Sequence, residues 1–402
     1  MKIDRLKGTR DFGSEKMRER RDLELRMRRI FESFGYDEIQ TPTIEPLELF
    51  LLKSGEAVLN ETYNFKDKGG RDVCLVPERT APTIRFYVNE MQKAEKPLKL
   101  YYFENCFRYE NPQKARYREF WQFGAELIGI RNRAKANAEL ICLAVRAIRE
   151  AGIEARVRIG DLNLLRPAVE KASGKMDTRE LMRAIDKWDK ERIEALGDER
   201  LMSLLSCKSV EGLEDSEEEK ELLRGLFGYL DAYGVEAELD MSIARGLDYY
   251  HGIVFEIDCP ALGAEKQVAG GGEYSLIELF GGEETGSSGF AIGFDRIVEA
   301  GKRNAETERK GAFFLPLSEE SYTFMLPIME KMRTKNLRCE IENNNRRTDK
   351  AMSYADAKRY RYVILRGNRE AERGKMTIKD LETGEQMETD ADGLEIVFSA
   401  EK

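Results

Sequence analysis

Two apolar-rich segments with the pattern of β-strands constrain the fold of this chain more than any other feature. The first begins at Leu98 and continues through Phe103, and the second runs from Phe120 to Ile130. A polar, basic loop at residues 110–118 separates them. Such runs joined by a short polar loop are typical of a β-hairpin. The pattern therefore predicts a long antiparallel hairpin, which belongs in an antiparallel sheet.

Length and composition set the outer limits of the fold. With 402 residues the chain is too long for one ordinary core, so two or three domains are expected. No run of about eighteen apolar residues occurs, which predicts that no segment spans a membrane. The first residues lack the apolar segment of a secretory signal, so a cytoplasmic protein is expected.

The scarcity of histidine excludes several classes of site. The six cysteines lie far apart with no C-x-x-C pair, and His251 is the single histidine, so no zinc site is expected. Ser-His-Asp and Cys-His mechanisms would all depend on His251, which stands beside two tyrosines and no obvious nucleophile. There is no P-loop motif and no Rossmann fingerprint. A site for ATP would therefore need arginines on an antiparallel scaffold.

The order of patterns along the chain suggests its organisation. Residues 14–34 read as an amphipathic helix, and residues of about 165–236 as a charged helical insertion. After a polar stretch near 302–311 the pattern alternates between strand and helix, as in a small α/β domain. We expect an α+β protein with one domain at 1–308 and another at 309–402.

Charge is unevenly distributed between segments. The chain has a formal net charge of −9, yet residues 346–379 contain eleven Lys or Arg against four acids. Tyr354, Tyr360 and Tyr362 are interleaved with these basic residues. The segment could meet a phosphate backbone, or it could be an ordinary solvated surface. Composition alone leaves both interpretations open.

The hairpin carries residues suited to binding phosphate. One strand delivers Arg108 beside Glu110, and the return strand carries Phe120, Gln122 and Glu126 on one face because their spacing is even. Planar guanidinium groups match phosphate oxygens bidentately. The whole stretch resembles motif 2 of the class II aminoacyl-tRNA synthetases, in the form typical of their histidine-specific members.

Three further segments support this resemblance. Pro77–Ala81 is similar to the P-E-x-T-A stretch of the histidine-specific enzymes, Ala244–Tyr250 to a signature nearly private to them, and Gly289–Arg296 to motif 3. Motif 1 is weaker, represented by the helix at 14–34 and by Pro42. The resemblance covers nearly the whole chain, least securely the helical insertion, and its C-terminal part resembles an anticodon-binding domain.

The resemblance implies a fold and a reaction. The fold would be a class II catalytic domain on an antiparallel sheet with flanking helices, followed by an α/β anticodon-binding domain. The reaction would be ATP-dependent ligation of histidine to tRNA through a histidyl-adenylate. Mg²⁺ would bind with ATP, the tRNA would be contacted at its acceptor end and anticodon, and a homodimer is expected. No editing domain is expected, because a site that hydrogen-bonds a polar side chain can reject isosteres by itself.

Roles for single residues also follow from the resemblance. Arg108 would clamp the α-phosphate, Arg296 the γ-phosphate, and Phe120 would stack on adenine. Arg108 and Arg245 would be the catalytic residues, and Arg245 would bridge the histidine carboxylate and the α-phosphate. Glu110 and Arg116 would also contact ATP. Glu126, Tyr249 and Tyr250 would form the imidazole pocket, and Glu78, Thr80 and Gln122 would bind the ammonium. Gln113 would contact the acceptor end of the tRNA. No residue is expected to be a dedicated metal ligand.

Two positions depart from the family pattern, and two other interpretations remain. Glu273 stands where members usually carry Arg, and Asp295 where motif 3 usually has Glu; the shorter carboxylate could hold magnesium or orient its neighbour. One alternative is a non-catalytic regulatory subunit of histidine biosynthesis, although such paralogues lack the C-terminal domain and typically the counterpart of Arg245. The other is a class II synthetase for another amino acid.

Overall fold

The computed structural model of the chain describes residues 2–110, 116–174, 177–186, 188–195, 197–214, 217–244, 249–301 and 309–394. The chain divides into two units, Met1–Lys302 and Arg303–Lys402. Among the described residues, no helix is both long enough and apolar enough to cross a membrane.

One large mixed sheet organises the first unit. The strands of this unit are β1 (Asp37–Glu38), β2 (Ile44–Pro46), β3 (Asn64–Lys66), β4 (Asp72–Leu75), β5 (Leu98–Phe107), β6 (Glu119–Ile128), β7 (Arg156–Asp161), β8 (Ala237–Leu239), β9 (Tyr250–Asp258), β10 (Gln267–Tyr274) and β11 (Ser287–Gly293). The large sheet has the order β1-β5-β6-β11-β10-β9-β7-β8. Its neighbouring strands are antiparallel from β5 to β7, while the edge strands β1 and β8 join in parallel. This architecture confirms the expected fold class.

Helices pack against the sheet, and several of them lie in the part of the sequence between β7 and β8. They are α1 (Ser14–Ser33), α2 (Leu47–Ser54), α3 (Thr80–Phe86), α4 (Arg133–Arg149), α5 (Leu162–Ser173), α6 (Thr178–Asp186), α7 (Lys190–Glu194), α8 (Glu199–Ser206), α9 (Glu217–Tyr233), α10 (Leu276–Leu279) and α11 (Phe294–Ala300). We call α5 to α9 the helical insertion. Asn132 caps α4, its side-chain oxygen accepting a hydrogen bond from the Lys135 amide at 2.9 Å.

The β5–β6 hairpin is present as predicted, and its pleat separates two environments. Leu98 pairs with Ile128 at one end and Phe107 with Glu119 at the other. On one face Phe123 stacks on Phe103, with ring centroids 4.3 Å apart, and on Phe31 of α1 at 5.3 Å. Successive side chains of a strand point to opposite faces. The neighbouring even-numbered residues of β6 therefore face away from this aromatic core.

A small sheet positions the start of α3. It has the order β2-β4-β3, and Phe50 of α2 and Val76 after β4 belong to the core beneath it. Arg79 precedes α3 and is almost wholly buried, with its Nη1 2.9 Å from Oε2 of Glu104 on β5. Arg79 also donates hydrogen bonds to the carbonyl oxygens of Thr41 and Pro42 at 3.2 and 3.0 Å. The Pro77–Ala81 segment is thereby anchored to the edge of the large sheet.

The second unit is an α/β sandwich with the predicted alternation. Its elements are β12 (Ala312–Pro316), α12 (Glu319–Thr334), β13 (Cys339–Ile341), α13 (Thr348–Ala357), β14 (Tyr362–Arg366), α14 (Asn368–Glu372), β15 (Met376–Asp380) and β16 (Gln386–Thr389). The sheet order is β13-β12-β14-β15-β16, parallel from β13 to β14 and antiparallel beyond. Phe313 and Phe314 belong to cores on opposite faces of β12, as expected of a strand covered on both sides.

The close packing of the central strands makes Gly271 a sensitive position. A Cβ there would stand 2.2 Å from the carbonyl oxygen of Gly289 and 2.6 Å from Cβ of Phe290. Because the obstacle includes backbone, we expect Gly271→Ala to destabilise the first unit by about 1–3 kcal/mol. Gly228, inside α9, is the matched control, since nothing lies within 4 Å of its added Cβ. Gly228→Ala should stabilise by roughly 0.5–1 kcal/mol.

Urea denaturation followed by far-UV circular dichroism would measure both variants. Equal midpoints for Gly271→Ala and the unsubstituted protein would contradict the strand packing described for β10 and β11.

Candidate active site

A cavity of about 900 Å³ opens on the face of the large sheet that carries Gln122. Sheet strands, the start of α3 and the helical insertion all contribute to its lining. Of the residues predicted to act, those that line it are Glu78, Thr80, Arg108, Glu110, Arg116, Phe120, Gln122, Tyr249, Tyr250 and Arg296. Glu126 lies on the same strand face and is fully buried. Gln113 and Arg245 lie outside the described residues.

Glu126 is a buried carboxyl held by two tyrosines. Tyr274 donates a hydrogen bond to its Oε2 at 2.7 Å, and Tyr102 donates one to its Oε1 at 3.4 Å. Burial raises the pKa of Glu126 from 4.5 to about 8, although the hydrogen bonds from Tyr274 and Thr80 act in the opposite direction. At neutral pH the carboxyl of Glu126 is therefore mostly protonated.

The two tyrosines were not among the predicted residues, but glycines in the strands give a signal for them. A Cβ on Gly124 would lie 2.1 Å from the ring of Tyr102, its partner on β5. A Cβ on Gly289 would lie 1.8 Å from Oε2 of Glu126. Glycines inside strands often mark such close approaches. These two positions make room for the buried polar cluster.

Glu78 lies in a second charged cluster at the start of α3. Its Oε1 is 2.8 Å from Nζ of Lys53, and its Oε2 accepts the amide of Thr80 at 2.8 Å. Burial by itself would raise the pKa of Glu78, but the ammonium of Lys53 and the amide hydrogen bonds outweigh it and lower the pKa. Lys53 also stands 4.4 Å from the centre of the Tyr249 ring. Lys53 comes from α2, outside every motif, so no sequence pattern predicts its place in the site.

The arginines of the hairpin and of α11 line another part of the cavity. Arg108 donates from Nε to the carbonyl oxygen of Pro77 at 2.9 Å, and its guanidinium is 5.1 Å from the centre of the Phe120 ring. Arg108 and Arg116 each approach Glu110 at 3.8 Å. Arg296 donates to the carbonyl oxygen of Gln267 at 2.5 Å. These backbone contacts hold the two guanidinium groups at the lining of the cavity.

Asp295 is a junction between elements. Its Oδ1 lies 2.6 Å from guanidinium nitrogens of both Arg10 and Arg20, and its Oδ2 accepts the amide of Trp121 at 2.7 Å. Trp121 stands between Phe120 and Gln122 on β6. Both oxygens thus accept hydrogen bonds from protein donors, and the contact with Trp121 ties α11 to β6.

A cluster of acids around Arg158 forms a further part of the lining that the sequence did not reveal. Arg158 on β7 pairs with Asp240 at 2.8 Å, Glu256 at 2.6 Å and Asp258 at 3.0 Å. Lys266 adds a contact with Asp258 at 3.1 Å. The even spacing of Glu256 and Asp258 on β9 places them on one face. That alternation was the only available signal, and it does not distinguish a site from a charged surface.

Glu273, the first departure from the family pattern, faces away from the cavity. It accepts hydrogen bonds from Arg133 at 2.9 Å and Asn137 at 2.7 Å, both on α4. His251 lies on the same side, with Nδ1 3.8 Å from Oε2 of Glu273. Tyr274, the residue after Glu273, points to Glu126 on the opposite face of the sheet. Glu273 therefore joins β10 to α4 and does not line the cavity.

Comparisons with known proteins agree with one another over the whole chain. The family model described as histidyl-tRNA synthetase matches residues 8–297, and that of the anticodon binding domain matches residues 312–400. The histidine–tRNA ligase of Archaeoglobus fulgidus is 45% identical over 403 residues, which cover 96% of this chain and 97% of that protein. The histidine–tRNA ligase of Methanosarcina acetivorans is 43% identical, with 96% of each covered.

A solved structure has the same architecture. The histidyl-tRNA synthetase of S. aureus, determined without ligands, superposes with a TM-score of 0.77. The two chains are 26% identical, and 98% of each is covered. The structural similarity therefore extends over both units of the chain.

The buried carboxyl of Glu126 should make stability depend on pH. Since its pKa of about 8 in the fold lies above the ordinary 4.5, the unfolded chain ionises first as pH rises. The free energy of unfolding should therefore fall between pH 4.5 and 8, by about 1.4 kcal/mol per pH unit at most. Glu126→Gln lacks this titration and should gain on the unsubstituted protein by up to about 3 kcal/mol between pH 5 and 8.

Urea denaturation at pH 5, 6.5 and 8 would measure this difference. Glu238→Gln, on an exposed salt bridge with Arg156, is the control and should track the unsubstituted protein. If Glu126→Gln and Glu238→Gln showed the same pH dependence, the carboxyl of Glu126 would be ionised in the fold.

Proposed function

The chain belongs to the histidyl-tRNA synthetase family, and from this premise we propose how its side chains carry out the reaction. The enzyme uses ATP to join histidine to tRNA. What carries this conclusion is full-length identity of 40–45% to several histidine–tRNA ligases, across both the catalytic and the anticodon-binding families. The residue assignments that follow are supported by the convergence of the predicted side chains on one cavity.

The reaction has two steps, and the nucleophile of each belongs to a substrate. The carboxylate of histidine attacks the α-phosphate of ATP, which releases diphosphate and leaves histidyl-adenylate. A ribose hydroxyl of tRNA then attacks the carbonyl carbon of the adenylate, which releases AMP. The protein therefore contributes position and charge rather than a nucleophile. A cavity lined by arginines and lacking a Ser-His or Cys-His pair suits this chemistry.

ATP is assigned to the part of the cavity formed by the hairpin and α11. Arg108 binds the α-phosphate, where charge builds as the carboxylate attacks, and Arg296 binds the γ-phosphate. The hydrogen bonds from these arginines to backbone carbonyls hold each guanidinium at the lining of the cavity. Adenine stacks on Phe120, near the Glu110–Arg116 pair. Asp295 holds the amide between Phe120 and Gln122, so it acts as a positioning residue.

Histidine is assigned to the part of the cavity next to Glu126. Glu126 and Tyr250 bind the imidazole nitrogens, and the Tyr249 ring packs beside Tyr250 with centroids 4.5 Å apart. A buried carboxyl that is left unpaired by a wrong substrate costs more free energy than a lost methyl contact. Such a pocket favours imidazole over apolar side chains of similar size.

The ammonium of histidine is assigned to Glu78, Thr80 and Gln122. Lys53 already occupies one side of Glu78, but Oε2 of Glu78 accepts only the Thr80 amide among the described contacts. A carboxylate oxygen can accept two hydrogen bonds. Lys53 keeps Glu78 ionised, and an ionised Glu78 is what an ammonium requires.

Magnesium is the metal that we expect to accompany ATP. Among the described residues, no group of three or more His, Cys, Asp or Glu side chains is placed to hold a metal ion. Mg²⁺ is usually held by one or two carboxylates together with substrate phosphates. The carboxylates nearest to this requirement, Glu256 and Asp258, are already paired with Arg158 at 2.6 and 3.0 Å, so the phosphates themselves would supply most of the ligands of the ion. When bound, the ion would neutralise the outer phosphates.

The tRNA and a second subunit complete the proposal. Residues 309–402 would bind the anticodon and residues 1–308 would carry the chemistry, with Gln113 contacting the acceptor end. The basic stretch at 346–379 supplies cations for a phosphate backbone. By resemblance to motif 1, α1 would lie at a homodimer interface. The cytoplasm, which holds the tRNA and ATP, is the compartment that we propose.

The two alternatives are less well supported. Non-catalytic regulators of histidine biosynthesis lack an anticodon-binding domain, whereas this chain matches that family over residues 312–400. A class II enzyme for another amino acid is disfavoured by identity to histidine–tRNA ligases over nearly the whole chain.

Exchange of diphosphate into ATP, measured with each of the twenty amino acids in turn, tests the function and the pocket together. Histidine alone should support rapid exchange. Glu126→Gln should raise the KM for histidine about 10- to 100-fold, because the amide cannot reproduce the hydrogen bond between the Glu126 carboxyl and the imidazole and a buried polar group is left poorly paired. Its KM for ATP should stay near that of the unsubstituted protein. An equal rise in both constants would refute the assignment of Glu126 to the imidazole, and exchange with another amino acid would refute the function.

Arg245→Ala tests the assignment of the bridging arginine. This variant should lose most of the exchange activity, by about 10²-fold or more, because charge at the reacting phosphate is no longer neutralised. Histidine binding, measured by calorimetry, should remain detectable. Exchange at a rate close to that of the unsubstituted protein would show that Arg245 has no part in activation.

A further inference from the structure

Trp188 is an exposed aromatic residue at the cavity that the proposed reaction leaves unused. It follows α6 in the helical insertion, and its side chain is 46% exposed. Within the part of the chain that the structure describes, no aromatic ring or cation stacks against it. Other exposed rings near the hairpin differ in this respect, since Arg118 lies 4.2 Å from the centre of the Tyr109 ring.

The backbone of Trp188 has a left-handed conformation. Its φ is 52°, in the region that favours glycine and that bulky side chains rarely adopt. A tight turn holds it there: its amide donates to the carbonyl oxygen of Ile185 at 2.9 Å, and the amide of Asp189 donates to that of Ala184 at 2.8 Å. Strained residues of this kind cluster at functional sites. A glycine would avoid this backbone cost, so the tryptophan side chain is the feature of the turn that needs an explanation.

The position of Trp188 relates it to the third substrate. Trp188 lines the same cavity as Phe120 and Gln122. Under the proposed function the sheet side of this cavity holds histidine and ATP, so the ribose of tRNA must approach from elsewhere. The helical insertion provides the facing part of the lining through Ile185, Asp186 and Trp188.

The charges around this entrance suit a nucleic acid strand. Lys208 and Arg116 line the cavity with 69% and 44% of their side chains exposed, and their ion pairs with Asp240 and Glu110 are long, at 4.0 Å and 3.8 Å respectively. The acids Asp240 and Asp258 on the same side are paired with Arg158, which reduces their repulsion of phosphate. Proteins that bind single-stranded nucleic acid combine such cations with aromatic rings on which bases stack.

We propose that Trp188 is a stacking platform for a nucleobase at the single-stranded 3′ end of the tRNA. The inference rests on the proposed function, because only a tRNA substrate brings such a strand to this cavity. The indole holds the base while Lys208 and Arg116 attract the neighbouring phosphates. The insertion thereby helps to place the terminal ribose near the adenylate.

The two steps of the reaction separate this role from the rest of the site. Trp188→Ala should leave histidine-dependent exchange, measured without tRNA, within twofold of the unsubstituted protein. In aminoacylation the same variant should raise the KM for tRNA about tenfold or more, since a stacking contact is lost. Trp188→Phe keeps a ring and should show a smaller rise. If the unsubstituted protein gave no exchange with histidine, the proposed function would fail; an unchanged KM for tRNA in Trp188→Ala would overturn only the role of Trp188.

Trp188→Gly guards against a folding defect. Glycine adopts the left-handed turn without strain, so its thermal unfolding midpoint should not fall far below that of Trp188→Ala. It should nevertheless show the same rise in the KM for tRNA. Normal tRNA kinetics in Trp188→Gly would also overturn the proposal.

Fluorescence gives a direct readout, because the chain has two tryptophans and the other, Trp121, lies on β6. Emission should be quenched when tRNA binds, and Trp188→Phe should remove most of the quenching. A tRNA trimmed of its unpaired 3′ nucleotides should bind through its anticodon with little quenching. Equal quenching by trimmed and intact tRNA would assign Trp188 to a paired stem and overturn the proposal. Quenching that rises with protein concentration in the absence of tRNA would instead assign Trp188 to contact with a second copy of the chain.

Discussion

The pleat of β6 is the constraint on which the cavity depends. On one face Phe123 packs against Phe31 and Phe103 in an aromatic core, and on the other lie Gln122, which lines the cavity, and the buried Glu126. A shift of one residue in register would exchange the two sets of side chains. The aromatic contacts therefore determine more than stability. They decide which side chains of β6 face the cavity, and the ten-residue pairing with β5 holds that choice in place.

Buried ion pairs then connect the motifs to this strand. Asp295 brings Arg10, Arg20 and the Trp121 amide to one carboxylate, and Arg79 brings the Pro77–Ala81 segment to Glu104 on β5. Removing one partner of such a pair leaves a buried charge unsatisfied. These pairs consequently hold segments that are far apart in sequence at fixed distances around the cavity. A reaction without a protein nucleophile requires that arrangement, because its rate depends on where charges stand.

Much of this organisation could be predicted from the sequence, and the remainder has a physical reason. The hairpin, α1 and the alternation of the second unit follow from the spacing of apolar residues, which is a local property. The partners of Glu126 and Glu78 do not follow from any such local spacing. Tyr274 reaches Glu126 from β10, and Lys53 reaches Glu78 from α2, so each pair depends on tertiary contacts between distant segments. The predicted site residues came from resemblance to family motifs, and Lys53, Tyr102 and Arg158 lie outside those motifs.

Two elements show the limits of local patterns in another way. The antiparallel pair β15 and β16 was not predicted, although Gly384 with a φ of 80° stands in the turn between them. One glycine between two strands of only five and four residues does not distinguish a hairpin from a loop. Glu273 was recognised as a departure without an interpretation, because its partners Arg133 and Asn137 belong to a helix more than a hundred residues earlier.

Charge distribution explains how an acidic protein can bind tRNA. The sequence from residue 303 to the end contains nineteen basic and nineteen acidic residues, so the second unit carries none of the net charge of −9. Within it the basic stretch to Lys379 is followed by acids, some of which pair with it, as Asp380 does with Arg361 at 3.3 Å. Fields from exposed charges are screened within about 10 Å at moderate salt. Attraction to the tRNA must therefore act at short range, from the placement of particular cations and rings rather than from the overall charge, and it should weaken steeply as salt is added.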